Sequence, residues 1–375
     1  AVFAHPRKAS EIAPARCQVR RLSRTEEDAL HALQVLADAL GVPRWDFSTN
    51  ANACGPCPPA LQAVQQVPRQ HYPDPAYTAL RQRLAQWHGV AAEQVVVAAS
   101  ASEFIHRFTA LAQRCGLRQV RVPAHGYGEY QRAAQLWGLQ ALPAADVAPA
   151  PQQSLLQWAC EPASPLGGHD AALAAWRCPS AQAAVAEASW CVVDCAYAPL
   201  LLESELQPLP ACAWQLYSPN KALGLTGVRA AYAIAPAAAV ASGQVAQLRA
   251  LAASWPLGAE GVALLTAWPQ AEVQAWLAAS LPLLRGYKQA QQALCTALGW
   301  QVLPGSLANF FTARVPTAQA SSLAQALQQL RQQGIKLRDA TSFGLPGHVR
   351  LGVLPPPAQQ ALRHAWAHLS CTPLH

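Results

Sequence analysis

The segment Ser218-Pro-Asn-Lys221-Ala-Leu-Gly-Leu-Thr-Gly-Val-Arg229 places one lysine directly after a predicted strand, inside a glycine-containing turn, with an arginine eight residues on. An amine in that setting can act as a nucleophile, because a desolvated or cation-flanked pocket lowers the pKa of lysine enough for it to attack a carbonyl. Arg229 carries the planar fork that suits a phosphate. Upstream, the apolar run Trp190–Val193 ends in Asp194, followed by Cys195, Ala196 and Tyr197. A carboxylate ending a buried strand is costly unless a cation meets it. A protonated pyridine nitrogen is such a cation.

Elements of two kinds must hold these groups. Short apolar runs predict strands over 94–99, 120–123, 155–160, 190–194 and 213–217. Between and before them, apolar spacing with proline, serine or threonine starts predicts helices over 25–40, 58–67, 76–88, 100–114 and 127–137, the first ended by Gly41. Alternation of this sort predicts a mostly parallel sheet between helices, an α/β fold, with ligands at the C-terminal ends of the strands. Ser100–Ser102, Tyr127, Ser164, Asp194–Tyr197 and Ser218–Lys221 all fall at those ends. From about Leu257 the texture changes to long Ala/Gln/Leu helices, with strands near 310–315 and 349–353, which predicts a smaller α+β domain. The expected organisation is an N-terminal segment over 1–50 contributing to the small domain, a large domain over 51–257 and the small domain over 258–375.

Composition narrows the function classes. With 375 residues, 52% apolar and 13% charged, the chain can bury a large core, which excludes a disordered protein. The net charge of +7 comes from scattered basic residues without a like-charge run, which argues against nucleic-acid binding and suits small anionic ligands. Every Ala/Leu-rich segment is broken by Gln, Arg, Pro or Gly before it reaches membrane-spanning length, and prolines and charges interrupt Ala1–Arg24 before a signal-peptide core can form. A cytoplasmic location, with no membrane partner, is the expectation. Eleven irregularly spaced cysteines fit free thiols, and the histidines show no paired metal-ligand spacing. Cys54-Gly-Pro-Cys57 copies the thioredoxin motif, but that chemistry needs a strand before it and a thiol of lowered pKa.

The lysine, aspartate and arginine motifs, in this order, resemble the class I/II aminotransferase family of fold-type I pyridoxal-phosphate enzymes, over about Arg44 to Leu354. The resemblance implies pyridoxal 5′-phosphate as cofactor, a transferase-type large domain with a smaller α+β domain, and a homodimer. Carried over by position, Lys221 is the catalytic amine that bonds the cofactor's aldehyde, Asp194 the partner of the pyridinium and Tyr197 a donor to the phenolic oxygen. Ser218 and Arg229 take the phosphate, with the helix start at Ala101 and Ser102. Tyr127 matches the aromatic that stacks on the ring, and Tyr72, in His-Tyr-Pro-Asp-Pro, the tyrosine that reaches the neighbouring subunit's cofactor.

Within the family, histidinol-phosphate aminotransferases and threonine-phosphate decarboxylases of the cobalamin pathway are the nearest in motif. The loop Phe47–Pro56 is similar to their entrance loop, with Asn52 as a substrate contact. In Ile335–Arg350, two arginines twelve residues apart suit a substrate with two anionic groups: Arg350 for the α-carboxylate, Arg338 for the phosphate. Gly126-Tyr-Gly-Glu-Tyr130 and the Arg338–Pro346 run look more like the decarboxylases, which implies L-threonine O-3-phosphate as substrate; histidinol phosphate with a keto acid is the alternative. Three departures stand out. Ser164-Pro-Leu-Gly167 replaces the family's Asn-Pro-Thr-Gly, so Ser164 stands in for an asparagine at the phenolic oxygen; Asn220 replaces Ser or Thr before the lysine; and His31-Ala-Leu stands where decarboxylases carry His-Gly-Gly. The first two keep open a third class, a cofactor-binding protein without turnover.

Overall fold

The computed structural model describes residues 40–143, 155–176, 189–316 and 322–370. Residues 25–39 of the expected first helix, and His31 with them, lie outside the described residues. In chain order, β1 (Trp45–Asp46) leads into α1 (Pro58–Gln66), whose first turn carries two prolines where missing N–H groups do no harm. Next come α2 (Thr78–His88), β2 (Val95–Ala98), α3 (Ala101–Arg114), β3 (Gln119–Val122), α4 (Gly128–Leu136) and β4 (Gln140–Pro143). They are followed by β5 (Leu155–Cys160), α5 (Ala171–Trp176), β6 (Ser189–Asp194), β7 (Trp214–Tyr217) and β8 (Ala231–Ile234). Four helices then run in succession, α6 (Ala237–Ala241), α7 (Gln244–Ala250), α8 (Ala259–Ala267) and the 27-residue α9 (Ala271–Ala297). The rest comprises β9 (Gln301–Val302), β10 (Phe310–Arg314), α10 (Leu323–Gln332), β11 (Ile335–Lys336), β12 (Arg338–Asp339), β13 (His348–Gly352) and α11 (Pro356–Ser370).

Seven strands form one sheet in the order β2-β8-β7-β6-β5-β3-β4, parallel except for β8, which is antiparallel to both neighbours. Both faces are buried. Val95 and Val97 of β2 pack into one apolar cluster with Leu84 and Tyr232, while Val96 and Ala98 pack into another with Phe104, Phe108 and Trp158. This explains why the strands read as continuous apolar runs. The edge strand β2 has its outer carbonyls covered: Arg249 donates to Glu93 and Val95, and Arg107 donates to Val97, at 2.8–2.9 Å. A second sheet, β12-β13-β10-β9, is antiparallel throughout. β1 pairs in parallel with β11. No helix among the described residues is long and apolar enough to cross a membrane.

Among the described residues the expected strands and helices are present, with ends shifted by up to two residues. In the large sheet β4 and β8 are additional, and outside it so are the two-residue strands β1, β9, β11 and β12. Ala231-Tyr-Ala-Ile offers one β-branched residue in four, and its strand identity comes from lying between β2 and β7.

Local chemistry sets the element ends that matter for a site. Ser100 is extended, and its hydroxyl accepts the Glu103 N–H at 3.0 Å, so α3 starts directly after β2 and its turn. The turn holding Lys221 is clamped against the loop before α1. Asn52 N–H donates to the Lys221 carbonyl at 2.9 Å, and Cys57 N–H to the Leu223 carbonyl at 2.8 Å. Gly224 makes the crossing possible: its φ is +66°, and a Cβ there would lie 2.5 Å from the Gly55 carbonyl oxygen. Gly224→Ala is therefore expected to lower unfolding free energy by about 1–3 kcal/mol or more, from left-handed strain plus a backbone clash. Urea titration checks this, as a lower midpoint with an unchanged slope.

Candidate active site

β6 carries Asp194 to the C-terminal end of the large sheet, 4% exposed. One carboxylate oxygen accepts the Tyr130 hydroxyl at 2.7 Å, and the other accepts the Ala196 N–H at 3.0 Å. No described cation is bonded to it. Burial pushes the carboxyl above its ordinary value, opposed by the Tyr130 hydrogen bond, by the charge of Lys221 and by the Ala196 N–H. A buried acid so placed favours an incoming cation.

β7 feeds the Lys221 turn. The Lys221 ammonium lies 5.2 Å from the Tyr197 ring centroid and forms no ion pair with a described residue. Tyr197 is buried against Phe310, and its hydroxyl accepts from the Asn50 amide at 3.3 Å. Ser218 is buried, yet its hydroxyl has no partner among the described residues. Asn220, the departure beside the lysine, serves the backbone, since its amide donates to the Thr226 and Val228 carbonyls at 3.4 Å and draws the turn closed. Arg229 is exposed and paired with no described residue.

At the next strand end, α3 presents Ala101 and Ser102 at its first turn. The Ser102 hydroxyl is 3.0 Å from that of Tyr127, which stands directly before α4. The residues expected to stack on the ring and to face the phosphate are thus joined by one hydrogen bond.

Arg338 and Arg350 are register partners on β12 and β13. Like charges directly opposite in a sheet are destabilising, and neither guanidinium is ion-paired with a described carboxylate. Arg350 is 9% exposed; it donates to the Ser164 hydroxyl at 3.0 Å and the Ser48 carbonyl at 2.9 Å, while its Nε has no partner. Arg338 donates to the Ser342 hydroxyl at 2.9 Å. Phe343 lies against both, 4.9 Å from the Arg338 guanidinium and 5.4 Å from that of Arg350. Burial, and then the charge of Arg350, push Arg338 below its ordinary value. Two positive groups held together this way form a receptor for anionic oxygens.

Two expected site residues make contacts of their own within this chain. Asn52 donates to the Ala222 carbonyl and the Ser280 hydroxyl, and its own oxygen accepts the Cys54 N–H, so both ends of its amide are committed to holding the loop. Asn50 instead faces the site. Tyr72 is 78% exposed, stacked on Trp255 at 4.5 Å, without a hydrogen bond or ring contact to the Lys221 cluster. Ser164 is at the site, and its hydroxyl accepts from Arg350 while its own hydrogen stays available. Cys57 caps α1 as a buried thiol, and burial raises the pKa of both Cys57 and Cys54, opposite to a redox thiol. Sequence reasoning missed the site contacts Asn50, Ser48, Phe310 and Phe343, and the Tyr130 bond to Asp194. Their partners are 147 or more positions away for Asn50 and 64 for Tyr130, separations with no local signal.

The buried polar atoms without partners, Ser218 Oγ, Asn50 Oδ1 and Arg350 Nε, together with the unpaired Asp194 carboxyl and the free Lys221 amine, fit pyridoxal phosphate. Lys221 can bond its aldehyde, Asp194 meet its ring nitrogen, and Ser218, Arg229 and the start of α3 take its phosphate. Comparison with known proteins agrees. A family model described as aminotransferase class I and II matches residues 44–369. Histidinol-phosphate aminotransferase 1 of Burkholderia pseudomallei (strain K96243) is 28% identical over 323 residues, 82% of this chain and 87% of that protein. A putative threonine-phosphate decarboxylase of Caldanaerobacter subterraneus subsp. tengcongensis is 34% identical over 90 residues, 24% of each chain. The crystal structure of histidinol-phosphate aminotransferase from Sinorhizobium meliloti in complex with pyridoxal-5'-phosphate superposes with a TM-score of 0.68 at 16% identity, covering 96% of this chain and 98% of that one.

Borohydride reduction of the cofactor-loaded protein is expected to leave a covalent mass adduct on the peptide containing Lys221. In Lys221→Ala the adduct disappears. An adduct of equal yield on another lysine of the variant would move the catalytic amine away from Lys221.

Proposed function

The chain belongs to the class I and II aminotransferases, a pyridoxal-phosphate-dependent family, and from that premise we propose that it acts on an amino acid bearing a phosphate. The observation that carries this reading is the register pair Arg338 and Arg350, two uncompensated guanidiniums meeting across one ladder. The finer reading is decarboxylation of L-threonine O-3-phosphate, whose carboxylate and phosphate give each arginine its own anion. Transamination of histidinol phosphate is the second reading, favoured by the match to the Burkholderia aminotransferase over 82% of this chain. That amine carries no carboxylate, so both arginines would share one phosphate.

Pyridoxal phosphate, when bound, supplies an electron sink for breaking a bond at the substrate's α-carbon. The protein's residues do the rest. Arg350 binds the substrate carboxylate, held in orientation by Ser164 and Ser48. By fixing the carboxylate, Arg350 would set which bond at the α-carbon is presented for cleavage. Arg338 binds the substrate phosphate and draws the substrate toward β12. Lys221 moves a proton at the α-carbon as its amine alternates between acid and base. Phe310 and Phe343 exclude water around Arg350, which strengthens its charge contacts. Tyr72, exposed beside Trp255, is offered to a second copy of the chain in a homodimer.

Incubation of the loaded protein with L-threonine O-3-phosphate and no keto acid is expected to release carbon dioxide, read as loss of the carboxyl from the substrate by mass spectrometry. Intact substrate carboxylate, with the cofactor converted to its amine form, would establish the transaminase instead. In either reaction Arg338→Gln is expected to raise KM for the phosphorylated substrate about 10- to 100-fold, the loss of one charge-assisted contact of about 1.5–3 kcal/mol. Reaction with the unphosphorylated analogue should change less than about twofold, and an equal rise for both compounds would remove Arg338 from phosphate recognition.

A further inference from the structure

Asp194 is held by a group that the site does not otherwise use. Tyr130, on α4, is 1% exposed, and its hydroxyl is the one described donor to Asp194 Oδ2, at 2.7 Å. Its ring lies flat on Trp158, with centroids 5.0 Å apart and planes at 14°, so the phenol cannot swing away without breaking that stack. We propose that Tyr130 is a positioning residue for the reaction, whose hydroxyl, donating to Asp194, keeps the proton of the aspartate–pyridine pair on the ring nitrogen and not on the carboxylate.

Two bases compete for one proton here. A buried carboxylate facing a pyridine nitrogen can form either an ion pair or a neutral pair, and burial favours the neutral one. Each hydrogen bond donated to the carboxylate weakens it as a base and shifts the proton to the nitrogen. Ala196 N–H supplies one such bond and Tyr130 the other. The remaining titratable groups facing the pair are Tyr127 from the start of α4, Cys160 from β5, Cys195 beside Asp194, Glu161 and Lys221. Burial pushes both thiols well up, so they stay neutral, and it does the same to the Tyr130 phenol, which therefore remains a donor. A protonated ring nitrogen withdraws electrons best, so the effect belongs to kcat. The proposal rests on Asp194 meeting the ring nitrogen.

Tyr130→Phe keeps the stacked ring and removes only the hydroxyl. The test is nitrogen-15 NMR, at one pH near neutrality, of the holoenzyme loaded with ring-labelled pyridoxal phosphate, for the wild type, Tyr130→Phe and Asp194→Asn. The expected result is a ring-nitrogen resonance moved from the protonated toward the neutral pyridine position in Tyr130→Phe, with kcat about tenfold lower and KM within about twofold. An unmoved resonance in Tyr130→Phe beside a moved one in Asp194→Asn overturns the role of Tyr130 alone. Unmoved resonances in both overturn the assignment of Asp194 as well. Should Tyr130→Phe not fold, Tyr130→3-fluorotyrosine, a more acidic phenol of nearly the same shape, is expected to move the resonance further toward the protonated position, and no movement overturns the proposal.

Discussion

A carboxylate without a cation, sealed at the end of a buried strand, is the constraint around which the rest of this structure is arranged. Asp194 reaches that position because β6 lies in the middle of the seven-stranded sheet, with β5 and β7 on its flanks and apolar clusters on both faces. Water cannot compensate it there. Two hydrogen bonds lessen the penalty, but only a positive group can remove it, and the ammonium of Lys221 acts on it without touching it. The strain is thus reserved for a ligand. A site built this way holds a cationic ring more firmly than a solvated carboxylate could, since the same low dielectric that penalises the lone acid strengthens the pair.

The arginine pair on the smaller sheet repeats this logic with the opposite sign. Arg338 and Arg350 face each other across β12 and β13, and the surroundings supply aromatic faces and neutral oxygens in place of carboxylates. The two centres are joined mechanically. Ser164, on the loop after β5, takes a hydrogen bond from Arg350; Thr312 on β10 donates to the Pro165 carbonyl, and Leu307 N–H to that of Gly167. Asn309 holds the carbonyls of Asn50 and Ala51 at 3.2 Å. Arg350, Ser164 and the Asn50 loop are thus tied to the small sheet as one bonded unit.

What was legible in the sequence follows from locality. The strand-turn-helix at Ser100 could be read because a serine, an acid three residues later and a β-branched run are all within ten residues. Lys221, Asp194 and Tyr197 could be read because each ends or follows an apolar strand. β8 could not, since its alanines carry no strand preference and only its neighbours make it one. Asn50 and Asn52 show the limit most clearly. They are the same residue type two positions apart in one loop, and which amide faces the site depends on Ser280, 228 positions away from Asn52. Tyr130 was within a motif that the sequence displayed, but its hydroxyl has meaning only once α4 is laid beside the end of β6.

The cysteine pair carries the same lesson into the loop that faces the lysine. Cys54-Gly-Pro-Cys57 reads as a redox motif by letter, yet each position has another cause in this fold. Gly55 turns the chain at a φ of +95°, which favours glycine, and its carbonyl passes so close to Gly224 that Gly224 must be bare of a side chain at the crossing. Pro56 and Pro58 stiffen the approach to α1, and Cys57 is a small apolar cap whose N–H closes onto Leu223. Asn52 completes the clamp by bonding to the Lys221 carbonyl through its own N–H. The turn is thus fixed at Lys221 itself, at Leu223 and at Gly224, leaving the lysine side chain as its movable part. This loop therefore sets a rigid backbone beneath an amine that makes no ion pair with a described residue.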